Sequence, residues 1–141
     1  MTMAHDQRLV RRAIAEIFNL GQLSVADDLF TADYVNHGGL IPDLVSGPEV
    51  VKFSAGLYRR AFPNLRITID ALGGDEDVLV MDWSARNRRL GAVPEIDPTG
   101  EARDRMTGVT RVRCAGGMIA ESWTDWDSAA MLRLMGIDEM N

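Results

Sequence analysis

Three side chains of this sequence are suited to moving protons, and all three stand near aromatic residues. Asp125 lies between two tryptophans, Asp82 precedes a tryptophan inside a predicted strand, and His37 follows a tyrosine in a predicted loop. A carboxylate held in a cavity has a raised pKa and can exchange protons near neutral pH. This set predicts acid/base chemistry, with Asp125 as the first candidate for the base, Asp82 as the second and His37 as their partner.

Each candidate also has a simpler structural interpretation, which the sequence leaves open. Asp82 can pair with an arginine such as Arg86, and a lone histidine in a loop, such as His37, is usually just solvated. Asp127 precedes a predicted helix and is better explained as its N-cap than as a catalytic acid. The acid/base prediction therefore depends on whether the fold turns these side chains into one cavity.

Removing a proton next to a carbonyl also requires hydrogen-bond donors for the enolate oxygen and apolar walls for the rest of the substrate. The candidate donors are Thr110, Thr124 and Arg86. The candidate walls are Tyr34, Trp83 and Trp126. Together they predict a mostly apolar, carbonyl-bearing small molecule as the substrate. Two other interpretations are open: a cavity that binds a ligand without chemistry, and a structural dimer with a filled interior.

The overall composition limits the class of protein. The 141 residues suit one domain, 1–141, and carry a net charge of −6 without a lysine/arginine face that would bind nucleic acid. The only cysteine is Cys114, so no internal disulfide can form, and no apolar run approaches the ~18 residues of a membrane span. No basic segment followed by an apolar core marks a signal peptide, so we expect a cytoplasmic protein.

The hydrophobic spacing predicts helices first and strands afterwards. Helices are predicted at 6–20, with Asp6 as its cap and Gly21 at its end, at 24–30, and from Gly47 to Pro63. The segment 31–47 has no clear period and is predicted to be a loop. Four strands follow, at 65–71, at 78–87 and on either side of a glycine turn at 115–117, with a second loop at 91–100 and a terminal helix beginning near Ser128. This order is typical of an α+β fold with helices packed on one face of an antiparallel sheet.

The last hairpin can pair in two registers that depend on its glycine turn. A two-residue turn pairs Thr110 with Trp123 and places Glu121 inside without a partner. A three-residue loop instead pairs Thr110 with Ser122 and places Glu121 on the outer face against Arg111. We favour the second register, because burying an unpaired carboxylate is unfavourable.

The favoured register has a consequence for each face of the sheet. On the outer face it leaves Val109, Ile119 and Trp123 as an apolar patch, which suggests a dimer surface. On the inner face it leaves small side chains such as Gly108 and Thr110, so helices packed there would leave a gap that forms a pocket. The alternative is a tightly packed core in which the threonines bond to the backbone.

Several motifs across nearly the whole chain are similar to those of one known family. They are Tyr34-x-x-His37, Gly47 before the third helix, Ala61-Phe62-Pro63-Asn64, Pro98-Thr99-Gly100, and Gly117-x-Ile119-x-Glu121-x-Trp123-x-x-x-Asp127, ending in Leu134-Met135-Gly136. Their joint spacing resembles that of the SnoaL-like polyketide cyclase family. The resemblance implies the cone-shaped fold of nuclear transport factor 2 and ketosteroid isomerase, with three N-terminal helices packed on a curved, four-stranded, mainly antiparallel sheet.

The resemblance also implies a function and a state of assembly. It implies a dimer or a tetramer and, often, a role in bacterial natural-product biosynthesis. The cyclases of this family need no metal or organic cofactor, and they close a polyketide ring by an aldol reaction with an aspartate and a histidine in the pocket. We therefore expect no cofactor and no metal, a homodimer or a tetramer, and a small-molecule substrate.

The sequence departs from this family at the two catalytic positions. The aspartate position is matched by Thr124 and the histidine position by Thr110, and a threonine hydroxyl cannot accept a proton near neutral pH without an activating base. Asp125 is one residue from the aspartate position, so a β-bulge could turn it inward. The family also includes hydroxylase-like proteins, epoxide-opening ring closers and pericyclic catalysts, so an enzyme without the usual pair is an open alternative.

Overall fold

Helices pack on one face of a five-stranded sheet in the computed structural model of the protein, which describes residues 3–39, 46–75, 77–87 and 105–127. The helical segments are α1 Met3–Arg12 with a π-helical continuation Ala13–Asn19, a 3₁₀ turn Leu23–Val25, α2 Ala26–Leu29 and α3 Pro48–Ala61. The strands are β1 Phe30–His37, β2 Leu65–Gly74, β3 Leu79–Asn87, β4 Arg105–Ala115 and β5 Met118–Trp126. They lie in the order β1-β5-β4-β3-β2. The predicted α+β class is confirmed, whereas the loop at 91–100 and the helix near Ser128 lie outside the described residues.

The prediction of four strands is wrong, because the first part of the predicted loop forms the additional strand β1. It pairs parallel to β5, and its register shifts between Phe30 and Val35. Such an irregularity breaks the alternation by which a strand is recognised in a sequence. Phe30 and Tyr34, four residues apart, are both buried. The predicted second helix is correspondingly shorter and ends at Leu29.

The first helix begins about one turn earlier than predicted and ends where predicted. Asp6 therefore lies buried in its first turn and does not cap it, which corrects that prediction. The helix ends before Gly21, whose φ of +75° is the left-handed conformation that terminates helices. Arg59 of α3 satisfies the last carbonyl groups by donating to those of Phe18 and Asn19 at 2.8 Å each.

A side-chain amide joins this helix to the sheet. Asn19 Oδ1 accepts a hydrogen bond from the backbone N–H of Ile67 at 2.7 Å, and Asn19 Nδ2 donates to the carbonyl of the same residue at 2.9 Å. Ile67 belongs to β2, the last strand in the sheet order. The two bonds hold the π-helical stretch beside β2, where it contributes Ile14 and Phe18 to the cavity described below.

The last hairpin adopts neither predicted register, because it combines a tight turn with a bulge. The turn has two residues, since Ala115 pairs with Met118. A register shift between Arg113 and Cys114 then places Thr110 opposite Thr124. The extra residue of a bulge moves the rest of the strand by one position, and a shift of one position exchanges its two faces.

The bulge gives β5 the two faces that the favoured register predicted, with different partners. Ser122 is buried on the inner face. Glu121 lies on the outer face and accepts a hydrogen bond from Arg113 at 3.2 Å, so the predicted pairing with Arg111 is wrong. Ile119, predicted to belong to the outer apolar patch, is only 3% exposed and packs in the core.

One hydrophobic core joins the helical segments to the inner face of the sheet. Ile17 of the π-helical stretch and Leu29 of α2 are its largest fully buried side chains. Gly47, with a φ of +88°, precedes α3, and Pro48 occupies its first turn as predicted. None of the helices in the described ranges has the length and apolar character that a membrane crossing requires.

Candidate functional site

A cavity of about 140 Å³ lies between the helices and the inner face of the sheet. Its apolar side chains come from the first helix and from all five strands of the sheet: Val10, Ala13, Ile14, Phe18, Phe30, Leu65, Ile67, Met81, Ala85, Val112 and Ile119. A dry apolar cavity of roughly 150 Å³ accepts a benzene-sized ligand. The cavity therefore has room for one six-membered ring.

Aromatic side chains that can also form hydrogen bonds complete the apolar walls. The ring centroid of Trp126 lies 6.0 Å from that of Trp83 and 6.2 Å from that of Tyr58. Trp126 Nε1 donates to the carbonyl of Gly38 at 2.7 Å, which fixes the indole at the end of β5. The structure places all three predicted walls, Trp83, Trp126 and Tyr34, on the cavity lining, and it adds Tyr58.

The polar side chains of the cavity form one hydrogen-bonded series, which we call the polar chain. Its members, in order, are Trp83, Thr110, Thr124, Asn36, Ser122 and Tyr34. The successive donor–acceptor distances are 3.0, 3.1, 3.3, 2.9 and 2.6 Å. The polar chain crosses the inner face from β3 through β4 and β5 to β1, and each member is uncharged at neutral pH.

The predicted donors Thr110 and Thr124 meet at the centre of the polar chain. Their hydroxyl oxygens are 3.1 Å apart, on paired positions of β4 and β5. The resemblance to the polyketide cyclases implies that these two positions correspond to the histidine and the aspartate of their pocket. The structure therefore brings the two positions together in the cavity, with two hydroxyl groups in place of an acid/base pair.

Tyr34 ends the polar chain as a protonated phenol. Burial raises the pKa of Tyr34 to about 12, so its hydroxyl keeps its proton at neutral pH. The ring packs edge-on against Phe30, with centroids 4.7 Å apart. Tyr34 is consequently an apolar wall with a hydrogen-bonding tip and cannot serve as a base.

The structure places the predicted catalytic carboxylates outside the cavity. Asp82 and Asp125 are exposed, and in the sheet register they lie on either side of Val109. The expected inward turn of Asp125 is wrong, because the bulge of β5 lies near the hairpin turn and gives the inward position to Thr124. Arg86, a predicted donor, is also exposed and does not line the cavity.

His37 also lies outside the cavity, in a cluster on the outer face. His37 Nε2 is 2.7 Å from Glu121 Oε2, and the imidazole stacks on Trp123 with ring centroids 5.7 Å apart. The hydrogen bond from His37, with a further one from Arg113, lowers the pKa of Glu121. His37 therefore interacts with surface groups, and the expected partnership with a cavity base is wrong in this arrangement.

Two members of the polar chain were missed as functional candidates. Asn36 lies in β1, a segment predicted to be a loop, and Ser122 was expected on the inner face only as a small residue. The spacing Tyr34-x-Asn36 was the available signal, because alternate residues of a strand share a face. Neutral amides and hydroxyls carry no charge, but their N–H and O–H groups can also bind a carbonyl group.

The arrangement offers hydrogen bonds without charge. None of the described residues that line the cavity is Asp, Glu, Lys, Arg or His. Within the described ranges, no group of three or more His, Cys, Asp or Glu side chains could hold a metal ion. Such a lining can bind and orient a neutral group and polarise a carbonyl.

Comparison with known proteins identifies a family and a fold. The family model described as SnoaL-like polyketide cyclase matches residues 8–134. No curated protein matches the chain. The solved structures described below are less than 25% identical to this chain, so their similarity shows a shared fold.

Three solved structures illustrate the shared fold. TsrD from Streptomyces laurentii has a TM-score of 0.73 at 18% identity, covering 97% of this chain and 98% of that one. A proposed polyketide cyclase from Acidithiobacillus ferrooxidans has a TM-score of 0.72 at 19% identity, covering 99% and 100%. A protein of ketosteroid isomerase-like fold from Catenulispora acidiphila, solved in complex with trimethylamine, has a TM-score of 0.65 at 16% identity, covering 92% of each chain. The predicted fold is thereby confirmed.

Proposed function

The chain belongs to the SnoaL-like polyketide cyclase family, and on that basis we propose that it closes a ring in a neutral, mostly apolar, carbonyl-bearing small molecule. In this proposal the substrate lies in the cavity, and the reaction is promoted by the shape of the cavity and by hydrogen bonds rather than by a basic side chain of its wall. The observation that carries the proposal is the uncharged polar chain on an otherwise apolar lining.

The size and polarity of the cavity support this substrate class. Its volume of about 140 Å³ suits one ring of the substrate, and its mostly apolar walls favour a hydrocarbon skeleton. An ionised group placed there would lose its hydration without gaining an opposite charge from the described lining. A neutral oxygen, in contrast, can form hydrogen bonds with the polar chain.

The two parts of the lining would promote ring closure in different ways. The walls hold a flexible chain folded, so that its reacting ends stay together and little freedom is lost in the reaction itself. A hydrogen bond to the carbonyl oxygen stabilises the negative charge that develops there. Neither effect needs a side chain that accepts a proton. The favoured reactions are therefore those without proton transfer, such as pericyclic ring closure, or those that leave the proton to solvent.

The first test measures the ring closure of two model substrates by the wild-type protein and by a variant whose cavity is filled. One is a trienone that closes by intramolecular cycloaddition. The other is a linear diketone whose aldol closure passes an α-proton to solvent, returns a proton from solvent to the new alkoxide oxygen, and then loses water. We expect the protein to accelerate trienone closure by about tenfold or more over buffer, because the walls hold the reacting ends together. Ala85→Phe, a change at a buried position of the lining, should abolish the acceleration. Loss of the absorbance of the conjugated diene measures the rate.

Thr68→Phe is the matched control, because Thr68 lies on the neighbouring strand β2, is exposed and does not line the cavity. This variant should retain the acceleration. Failure of the wild-type protein to accelerate either substrate would contradict ring closure, and tight binding of the cyclic product without acceleration would favour a binding protein instead. Acceleration of the diketone alone would point to a base outside the described lining and to the aldol chemistry of the family.

We also propose that two copies of the chain form a dimer through the outer face of the sheet. Val80 and Val109 are 38% and 39% exposed there, and Trp123 lies on the same face. Asp82 and Asp125 flank Val109. Further along β4, Arg111 and Arg113 lie on the same face. A second copy related by a two-fold axis can place its arginines against these acids, so the face is complementary to itself.

Val109→Arg is expected to convert this dimer into a monomer, because it places a charge in the middle of the apolar contact. Sedimentation velocity over a hundredfold range of concentration measures the change. Leu20→Arg, at a position that is 64% exposed beyond the π-helical stretch, serves as the control and should leave the assembly unchanged. A wild-type protein that sediments as a monomer throughout the range would rule out this dimer.

A further inference from the structure

We propose that the side-chain amide of Asn36 is the hydrogen-bond donor that binds the carbonyl oxygen of the substrate, and that it selects a neutral carbonyl against a carboxylate. This inference rests on the proposed function and adds to it the atom that recognises the substrate. Three features support it: the direction of the polar chain, the space beside the amide, and the lack of charge on the described lining.

The direction of the polar chain is set at one end by an indole. The N–H of Trp83 can only donate, so Thr110 Oγ1 accepts from it at 3.0 Å. The proton of Thr110 is then directed to Thr124 Oγ1 at 3.1 Å, and Thr124 donates in turn to Asn36 Oδ1 at 3.3 Å. This branch therefore ends on the carbonyl oxygen of the amide.

The other branch ends on the same oxygen. Tyr34 remains protonated at neutral pH and donates to Ser122 at 2.6 Å, and Ser122 donates to Asn36 Oδ1 at 2.9 Å. Each hydroxyl in the polar chain has only one proton, and in this arrangement each proton is already used. The amide nitrogen of Asn36, which carries two protons, is therefore the donor that is left for a ligand.

Convergence on one oxygen also makes the amide a better donor. A hydrogen bond accepted by an amide oxygen draws electron density from its nitrogen, and hydrogen bonds in series polarise one another in this way. Asn36 Oδ1 accepts two such bonds, each at the end of a series. Its N–H groups are consequently stronger donors than those of an isolated asparagine.

The space beside the amide nitrogen is kept open by a glycine. A Cβ atom at Gly39 would lie 2.6 Å from Asn36 Nδ2, so a larger residue would occupy the position in front of the donor. Both residues line the cavity. Within the described ranges, no protein group accepts a hydrogen bond from Asn36 Nδ2. The donor and the room for its acceptor therefore occur together.

The charge of the lining determines which acceptor fits. A ketone oxygen needs one or two hydrogen-bond donors and loses little hydration on entering the cavity. A carboxylate would lose much more hydration, and none of the described lining residues carries a positive charge that could compensate. During ring closure the negative charge that develops on a ketone oxygen would be stabilised by the same N–H group. Asn36 therefore favours a neutral carbonyl in the ground state and an enolate-like oxygen in the transition state.

The test compares three ring compounds of similar shape. Cyclohexanone carries the acceptor, methylenecyclohexane replaces its oxygen by a CH₂ group, and cyclohexanecarboxylate carries a charge. Titration of the wild-type protein, followed by NMR, should show cyclohexanone binding about tenfold more tightly than either of the others, which corresponds to one well-formed hydrogen bond. The Asn36 side-chain NH₂ resonances should move on binding of the ketone and not on binding of methylenecyclohexane.

Asn36→Asp isolates the donor, because its carboxylate still accepts from Ser122 and Thr124 but has no N–H group. Cyclohexanone affinity should fall about tenfold to that of methylenecyclohexane, whose own affinity should change less than about threefold. The carbonyl stretching frequency of bound cyclohexanone should rise towards its value in an alkane. Gly39→Ala blocks the donor while leaving the amide oxygen to accept from Ser122 and Thr124, because its Cβ would lie 2.6 Å from Asn36 Nδ2. It should have the same effect on the ketone and covers the case in which Asn36→Asp does not fold.

The outcomes separate this inference from the proposed function. Equal binding of cyclohexanone and methylenecyclohexane by the wild-type protein would overturn the role of Asn36 while leaving a ring-binding cavity in place. An unchanged ketone affinity and carbonyl frequency in both variants would do the same. If the wild-type protein binds none of the three rings, the proposed function itself fails, and the role of Asn36 falls with it.

Discussion

Replacing Gly108 with alanine is expected to lower the free energy of unfolding by about 2–4 kcal/mol. A Cβ at this position would lie 2.3 Å from Cζ2 and 2.7 Å from Cε2 of Trp83, well inside van der Waals contact. The indole has little room to move, because it is only 9% exposed, donates to Thr110 and packs near Trp126. Urea unfolding, followed by tryptophan fluorescence, measures the change.

Gly73→Ala provides the matched control. Gly73 lies in β2 with no atom within 4 Å of the position that its Cβ would take. The same substitution there should change the free energy of unfolding by less than about 1 kcal/mol, with a tendency to stabilise, because alanine restricts the unfolded chain. Equal unfolding midpoints for the Gly108→Ala variant and the wild type would show that the sheet accommodates the methyl group and that the close packing of Trp83 is unimportant.

The second large effect is a loss of stability at alkaline pH. Burial raises the pKa of Tyr34 from 10.0 to about 12, and burial, with a smaller contribution from Asp6, raises the pKa of Cys114 from 9.0 to about 11. In each case the unfolded chain releases the proton at a lower pH than the folded protein does. The stabilisation is therefore complete below the unfolded pKa values and is lost progressively as pH rises from about 9 to about 12.

The magnitude of this loss differs between the two groups. A shift of two pKa units corresponds to about 2–3 kcal/mol for the buried Tyr34. The share of Cys114 is reduced to about 1 kcal/mol, because its thiol is only partly buried and solvent screens it. Urea unfolding at a series of pH values should show a steeper alkaline decline for the wild type than for Tyr34→Phe, and a smaller difference for Cys114→Ala. Parallel pH profiles for all three proteins would refute the assignment.

Strand alternation predicted much of the cavity correctly and could have predicted more. The inward face of β4, with its small residues, was assigned from alternation alone, and the structure places Thr110 on the cavity lining. The same rule places Asp82 outward, because its neighbour Trp83 points inward. Asp82 became a catalytic candidate because it adjoins Trp83 along the chain, although adjacent residues of a strand lie on opposite faces.

The strand pairing of the last hairpin and the presence of β1 depend on irregular backbone, which the periodicity of hydrophobic residues does not reveal. The bulge in β5 places Thr124 opposite Thr110, whereas the favoured register placed Ser122 there, and neither predicted register contained the bulge. The register shift in β1 concealed a strand and, with it, Asn36. Each irregularity moves side chains by one position, and one position is enough to separate the lining of the cavity from the surface.

The side-chain amide of Asn19 also protects this protein against aggregation through an exposed strand. β2 is an edge strand, and an edge strand offers unpaired N–H and C=O groups on which a strand of another chain can add. Asn19 occupies both backbone groups of Ile67 with its own amide, at 2.7 and 2.9 Å, near the start of that edge. A single side chain thus imitates one rung of a neighbouring strand and interrupts the template on which intermolecular sheets and fibrils grow.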